Sequence, residues 1–237
     1  MSLTITIDGV KCTAEAGQYI TDVAKANNIY IPTLCNLEGI KPKGSCRVCT
    51  CIVNGRQMAA CSTPVADGMV VENKTTELED IRKVLVEVLF AEGNHFCPGC
   101  ERSGSCELQA LGYKYKTKVT GMGFDYKFPN RAIDASHEKI LIDYNRCILC
   151  KRCIRSIKTD DGKSIFAFKK RGNKVIINVD PELASQLTDE KAQLAMDNCP
   201  VGAIIRKGKG FDGPIGRRQY DCTPIGSDIE NNDGGTK

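Results

Sequence analysis

The chain has 237 residues, 41% of them apolar, a formal charge of +4 and 14 Cys; that length suits one to two domains, each with its own core. No stretch approaches the roughly 20 apolar residues of a membrane-spanning helix, Val84 to Ala91 being short and interrupted by Glu87. Met1 to Val10 lacks a basic segment followed by an apolar run, so no secretory signal is read and a cytoplasmic protein is expected; there, clustered Cys suit metal ligation better than disulfides.

Leu3 to Ile7 alternates apolar and polar residues, and Asp8-Gly9 turns the chain into Val10 to Ala14, a β-hairpin. Residues 17–27 place Ile20, Val23, Ala24 and Asn27 on one helical face. A Cys-bearing loop follows Pro32. Arg47 to Val53 and Gln57 to Ala60 flank Asn54-Gly55, a second hairpin signal, and Met69 to Glu72 is read as a closing strand. That order is the order of a β-grasp domain.

Thr76 with Glu79 makes a capping-box signature, and Leu78, Ile81, Leu85, Val88 and Leu89 recur at helical spacing up to about Glu92. Gly93-Asn94 then delivers the chain to His95. Residues 112–138 show no strong period and are read as a linker. Lys139 to Ile142, Ile165 to Phe168, Val175 to Val179 and Ala203 to Arg206 read as strands around a later Cys group. Gly, Pro and charge dominate from Lys207, and Asn231 to Lys237 is expected to be disordered.

The Cys fall into three groups. Cys35, Cys46, Cys49 and Cys61 have gaps of ten, two and eleven residues. Four thiolates from a loop and a neighbouring strand suit a [2Fe–2S] cluster, and Gly44 and Ser45 allow close backbone approach. A four-Cys zinc site is the competing reading. Cys51 would face the same side of a strand as Cys49; Cys49 is the ligand candidate because its two-residue gap lets it share a cluster with Cys46.

His95, Cys97, Cys100 and Cys106 form the second group, which suits zinc as readily as a [4Fe–4S] cluster. With a cluster bound, a neutral imidazole in place of a thiolate removes one negative charge and raises the reduction potential.

The third group is the most specific. Cys147, Cys150 and Cys153 at two-residue gaps, then Cys199-Pro200 after forty-five residues, form the bacterial ferredoxin arrangement for [4Fe–4S]. Ile157 stands where a two-cluster ferredoxin would carry another Cys, so one cluster is expected. Cys12 and Cys51 are read as inert buried thiols, and Cys222 lies in the polar tail.

These readings give an α+β chain in five parts: a β-grasp [2Fe–2S] domain at 1–75, a helix with a His/Cys [4Fe–4S] region at 76–120, a linker at 121–138, a ferredoxin-like single-cluster [4Fe–4S] domain at 139–210 and a partly disordered tail at 211–237. The positive charge would suit nucleic acid, but clusters change the sum. About −2 for each four-thiolate cluster and about −1 for the His-bearing one leave the loaded chain at about −1. Lys41, Lys43, Arg47, Arg146, Lys151, Arg152 and Arg155 are read as compensating cluster charge; neither nucleic acid nor membrane is expected as a partner.

The order of parts, with Tyr30-Ile31-Pro32-Thr33-Leu34-Cys35, Cys46-Arg47-Val48-Cys49, Ala91-Glu92-Gly93-Asn94-His95, Glu107-Leu108-Gln109-Ala110 and Pro214-Ile215-Gly216-Arg217-Arg218, resembles the N-terminal part of the large iron–sulfur subunit of respiratory NADH dehydrogenase. It resembles the diaphorase small subunits of NAD-reducing [NiFe] hydrogenases still more. One residue, Phe96, separates His95 from Cys97, where the respiratory subunit has three; the hydrogenase subunit shares the tighter spacing. The resemblance covers about residues 3–225. It implies a non-catalytic subunit that passes single electrons through one [2Fe–2S] and two [4Fe–4S] clusters. Its partners would be an FMN/NAD-binding diaphorase large subunit and the small and large subunits of a [NiFe] hydrogenase.

Two rival classes remain open from sequence: the equivalent subunit of another flavin-linked complex such as a formate dehydrogenase, and a zinc-organised interaction module. Gly208-Lys209-Gly210-Phe211-Asp212-Gly213 matches a dinucleotide fingerprint, but Pro214 and Gly216 follow in place of a helix, so no NAD or FMN site is read. His137 has no ligand partners nearby and is read as a surface residue.

Overall fold

The structure is a computed structural model describing residues 2–117 and 129–230. Strands β1 (Ser2–Ile7) and β2 (Val10–Glu15) form the first hairpin, with Ile5 opposite Cys12 and Ile7 opposite Val10. Asp8 and Gly9 both take positive φ, 48° and 84°, the requirement of a tight hairpin turn whose twist matches its strands. Helix α1 (Ile20–Ala26) starts later than its pattern, because Gly17 (φ 93°) and the extended Tyr19 keep the chain in a turn. Strands β3 (Thr50–Val53) and β4 (Arg56–Ala59) meet at Asn54-Gly55, a second turn of positive φ, and β5 (Val70–Glu72) closes the sheet.

The sheet order is β2-β1-β5-β3-β4, with β1 and β5 parallel and the other pairs antiparallel. Ile5, Ile7, Cys12, Ala14, Val53 and Val71 bury one face against Ile20, Val23 and Ala24 of α1. This is the β-grasp expected from the order of hairpin, helix and later strands.

Helix α2 (Thr76–Glu92) is capped by Thr75, whose hydroxyl accepts from the Leu78 amide at 3.2 Å. The capping box expected at Thr76 and Glu79 does not form. With Thr75 as cap, Leu78 takes the third helical position, and Glu79 pairs with Arg82 instead. Val86 and Phe90 of α2 meet Leu108 and Leu111 of α3 (Glu107–Lys114) in a second core.

The expected linker is not featureless. It holds the end of α3 and a short strand, β6 (Ile133–Asp134), which pairs with β7 (Ile140–Asp143); its stretch 118–128 lies outside the described residues. Helix α4 (Arg152–Ser156), the hairpin β8 (Phe166–Lys169) and β9 (Ile176–Val179), helix α5 (Asp189–Asn198) and β10 (Ile204–Arg206) complete this part, with sheet order β10-β7-β6. Their core is Ile140, Ile142, Ile157, Phe166, Ile177 and Ala195, and it extends to Leu34 and Val48 beside the first Cys group.

The tail folds further than its composition suggests. Helices α6 (Gln219–Cys222) and α7 (Ser227–Glu230) form, the Tyr220 amide donates to the Gly104 carbonyl at 2.8 Å, and Ile225 packs on the second core. The expectation for Asn231 to Lys237 lies outside the described residues.

Candidate iron–sulfur centres

Cys35 follows the buried Leu34 into a loop, Cys46 and Cys49 bracket a turn, Cys49 leads directly to β3, and Cys61 sits in a short 3-10 turn after β4. The turn depends on Arg47 at φ 62°, whose carbonyl accepts from the Thr50 amide and hydroxyl. Gly44 has φ 59°, and a Cβ there would lie 2.6 Å from Ser62 Oγ, so side chains are excluded from this approach. The Ala60 amide donates to the Cys49 carbonyl at 3.1 Å and brings Cys61 alongside.

The structure brings these four thiols together. Contact with the Cys46 and Cys61 thiols lowers the Cys35 thiol well below its ordinary range, and contact with Cys61 lowers that of Cys49. The Cys46 and Cys61 thiols move the opposite way.

Cys51 is oriented differently. Its Sγ lies 3.8 Å from Arg82 Nη2 and 3.7 Å from Asn73 Oδ1, and burial pushes its thiol up to about 12. Arg82, 1% exposed, also donates to the Thr50 and Asn73 carbonyls, and so pins α2 to β3. Cys12 is buried in the β-grasp core, and Cys222 is exposed with its Sγ 3.1 Å from the Gly216 carbonyl.

His95, Cys97, Cys100 and Cys106 line one small pocket with Phe90, Arg146 and Gly202. Cys97 opens a short 3-10 turn through Pro98, and Cys106 caps α3, its Sγ accepting from the Gln109 amide at 3.4 Å. The His95 ring meets Phe90 edge to face at 5.4 Å, and burial pulls its pKa down to about 4. The imidazole is therefore neutral at neutral pH, the form that binds metal. Burial pushes the Cys97 and Cys100 thiols up and that of Cys106 to about 12; metal binding here would displace protons. Backbone closes in from two sides: a Cβ on Gly93 would lie 2.4 Å from His95 Nε2, and one on Gly202 would lie 2.4 Å from Cys100 Sγ.

Cys147, Cys150, Cys153 and Cys199 line one small pocket with Ile142, Ile177, Val201 and Ile204. Leu149 and Lys151 sit at φ 52° and 65°, a pair of left-handed residues that folds the short Cys repeat around that space. Cys153 lies in the first turn of α4, and Cys199 is the C-cap of α5, followed by Pro200. Burial raises the thiols of Cys147, to about 11, and of Cys150 and Cys153.

Several of the basic residues have protein partners that sequence could not show. Arg146 pairs with Asp143 at 2.8 Å and Glu101 at 2.9 Å, Arg152 with Glu107 at 2.6 Å, and Lys151 lies over the Phe168 ring at 5.5 Å. His137 sits 3.5 Å from Asp134 and in none of the three groups. The Gly208 to Gly213 segment has no helix behind it: Asp212 pairs with Arg102, and the next helix is α6.

The second and third groups each line one small pocket among apolar neighbours, Phe90 in the one and Ile142, Ile177 and Ile204 in the other. Soft sulfur donors in such apolar surroundings fit iron–sulfur clusters.

Three family models match: a 2Fe-2S iron-sulfur cluster binding domain at residues 1–76, the NADH-ubiquinone oxidoreductase-G iron-sulfur binding region at 82–120 and the ferredoxin-like domain of NADH-quinone oxidoreductase subunit 3 at 138–205. The chain is 48% identical over 226 residues to the NAD-reducing hydrogenase HoxS subunit gamma of Cupriavidus necator, covering 95% of this chain and 96% of that one. It is 33% identical over 213 residues to the NADPH-Fe(3+) oxidoreductase subunit alpha of Geobacter sulfurreducens and spans 25% of that longer protein. A crystal structure of an NAD+-reducing [NiFe]-hydrogenase in the H2-reduced state contains a chain that superposes with a TM-score of 0.85 at 39% identity, covering 96% of this chain and 97% of that one. The chain carries one [2Fe–2S] domain and two [4Fe–4S] regions, and it belongs to the iron–sulfur subunit family that includes the gamma subunit of NAD-reducing hydrogenase.

Proposed function

We propose that this chain is a cytoplasmic, non-catalytic subunit that relays single electrons between a [NiFe] hydrogenase, with its small and large subunits, and an FMN/NAD-binding diaphorase large subunit. The first cluster would be held by Cys35, Cys46, Cys49 and Cys61. The second would take His95, Cys97, Cys100 and Cys106, and the third Cys147, Cys150, Cys153 and Cys199. Bound clusters supply one-electron acceptors; the protein supplies position, hydrogen bonds and burial. No helix among the described residues is long and apolar enough to cross a membrane.

One observation carries this reading: the three donor sets are contiguous, with the third between the other two. Arg155 on α4 donates to the Cys35 carbonyl in the first group. On the other side Arg152 pairs with Glu107, the Glu107 amide donates to the Pro200 carbonyl at 2.9 Å, and Gly202 abuts Cys100. The spatial order is thus first, third, second.

Iron and acid-labile sulfide on the purified chain test the reading. About ten irons are expected from one two-iron and two four-iron clusters. A colourless protein with zinc and no sulfide would establish an interaction module instead. Co-purification with hydrogenase polypeptides and nickel, as opposed to molybdenum, checks the choice of partner.

A further inference from the structure

Arg155 lies on α4 two residues beyond Cys153 and belongs to neither ligand set. Its guanidinium binds three carbonyls at once. Nη1 donates to Lys41 at 2.8 Å, Nη2 donates to Cys35, and Nε donates to Lys151 at 3.2 Å. Lys41 and Cys35 belong to the loop of the first group; Lys151 lies between Cys150 and Cys153 of the third. The loops so joined are 114 and 120 residues apart in sequence. Only a planar fork with five fixed donors can hold three acceptors in this way; an ammonium is a point charge without that geometry.

We propose that Arg155 is a positioning residue that clamps the first cluster's loop to the third cluster's helix, fixing both their spacing and the charge felt by the first cluster. The inference rests on the ligand assignment above. The step it serves is a one-electron exchange: one cluster is oxidised by one electron, its neighbour is reduced by one, and no bond or proton moves. A covalent and hydrogen-bonded route between the two ligand sets runs from Cys35 through its carbonyl to Arg155 and along α4 to Cys153. The guanidinium also places a positive charge against the first loop, which favours the reduced and more negative cluster.

The test uses the full chain loaded with clusters and compares the native protein with Arg155→Met and Arg155→Lys. EPR of the reduced protein reads the magnetic interaction between the two clusters, and redox titration reads the first cluster's potential. In Arg155→Met the interaction should weaken, and the first cluster's reduction equilibrium should shift at least tenfold toward the oxidised form, 59 mV for one electron. Arg155→Lys should recover the potential, because it keeps the charge, and not the interaction, because it lacks the fork. Unchanged interaction and potential in Arg155→Met at full iron content would overturn the proposal. Should Arg155→Met lose its clusters, Arg155→Lys decides: native interaction there also overturns it. Absence of sulfide from the native chain would instead overturn the ligand assignment.

Discussion

Arg152 and Glu107 face each other as fork to carboxylate, Nη1 to Oε1 at 2.6 Å and Nη2 to Oε2 at 2.7 Å, and so join the helix that carries Cys153 to the helix that starts after Cys106. The Arg152 side chain is only 5% exposed. Glu107→Gln would leave that cation buried without its counter-charge, a loss of about 3–5 kcal/mol. Equilibrium denaturation of the loaded protein should show a lower midpoint at unchanged slope. A change below about 1 kcal/mol would mean that the pair behaves as a solvent-screened one.

Cys150→Ser should remove one [4Fe–4S] EPR signal and leave the [2Fe–2S] spectrum as it was, because the third cavity and the first thiol set share no ligand. A variant that keeps every signal would place Cys150 outside the ligand set.

His95→Cys should preferentially lower the potential of one [4Fe–4S] cluster, since a thiolate adds the negative charge that the neutral imidazole lacks. The shift should reach at least one decade in the one-electron equilibrium, about 59 mV. An unchanged titration would remove His95 from the ligands.

Gly202→Ala puts a methyl 2.4 Å from Cys100 Sγ, on backbone that Arg146 also holds through the Gly202 carbonyl at 3.3 Å. The second cluster should be lost, about four irons of the expected ten, while the third cluster's signal persists. Gly213→Ala is the control: its Cβ meets nothing within 4 Å, and iron content should not change.

What the sequence disclosed was local. The Cys147, Cys150, Cys153 repeat and Cys199-Pro200 are grouped by spacing alone, and the structure gathers them round one pocket; the Asp8-Gly9 and Asn54-Gly55 turns announce their hairpins through the positive φ they need. Thr75 and Thr76 are adjacent and chemically alike, so the choice of cap was not legible; where the helix packs decides it. Strand β6 has two residues and α6 and α7 four each, too short for a period to show; β6 is held by its pairing with β7, and the tail by the Tyr220 bond to Gly104 and the Ile225 contact.

The arginines were half legible. As sequence they were countercharges for clusters. As structure Arg152 also has a carboxylate of its own, and Arg155, besides its charge, binds carbonyls from a segment over a hundred residues away. No local pattern encodes a partner at that distance. Cys51 is a milder case: its separation from the thiol set depends on Arg82, which arrives from α2.

The chain writes its centres as first, second, third and stacks them as first, third, second. On a ribosome the keystone is therefore the last piece to emerge. A polypeptide interrupted before Cys147 would lack the third group and also Gly202, which walls the second group's pocket, so two of the three centres wait on the C-terminal part of the chain.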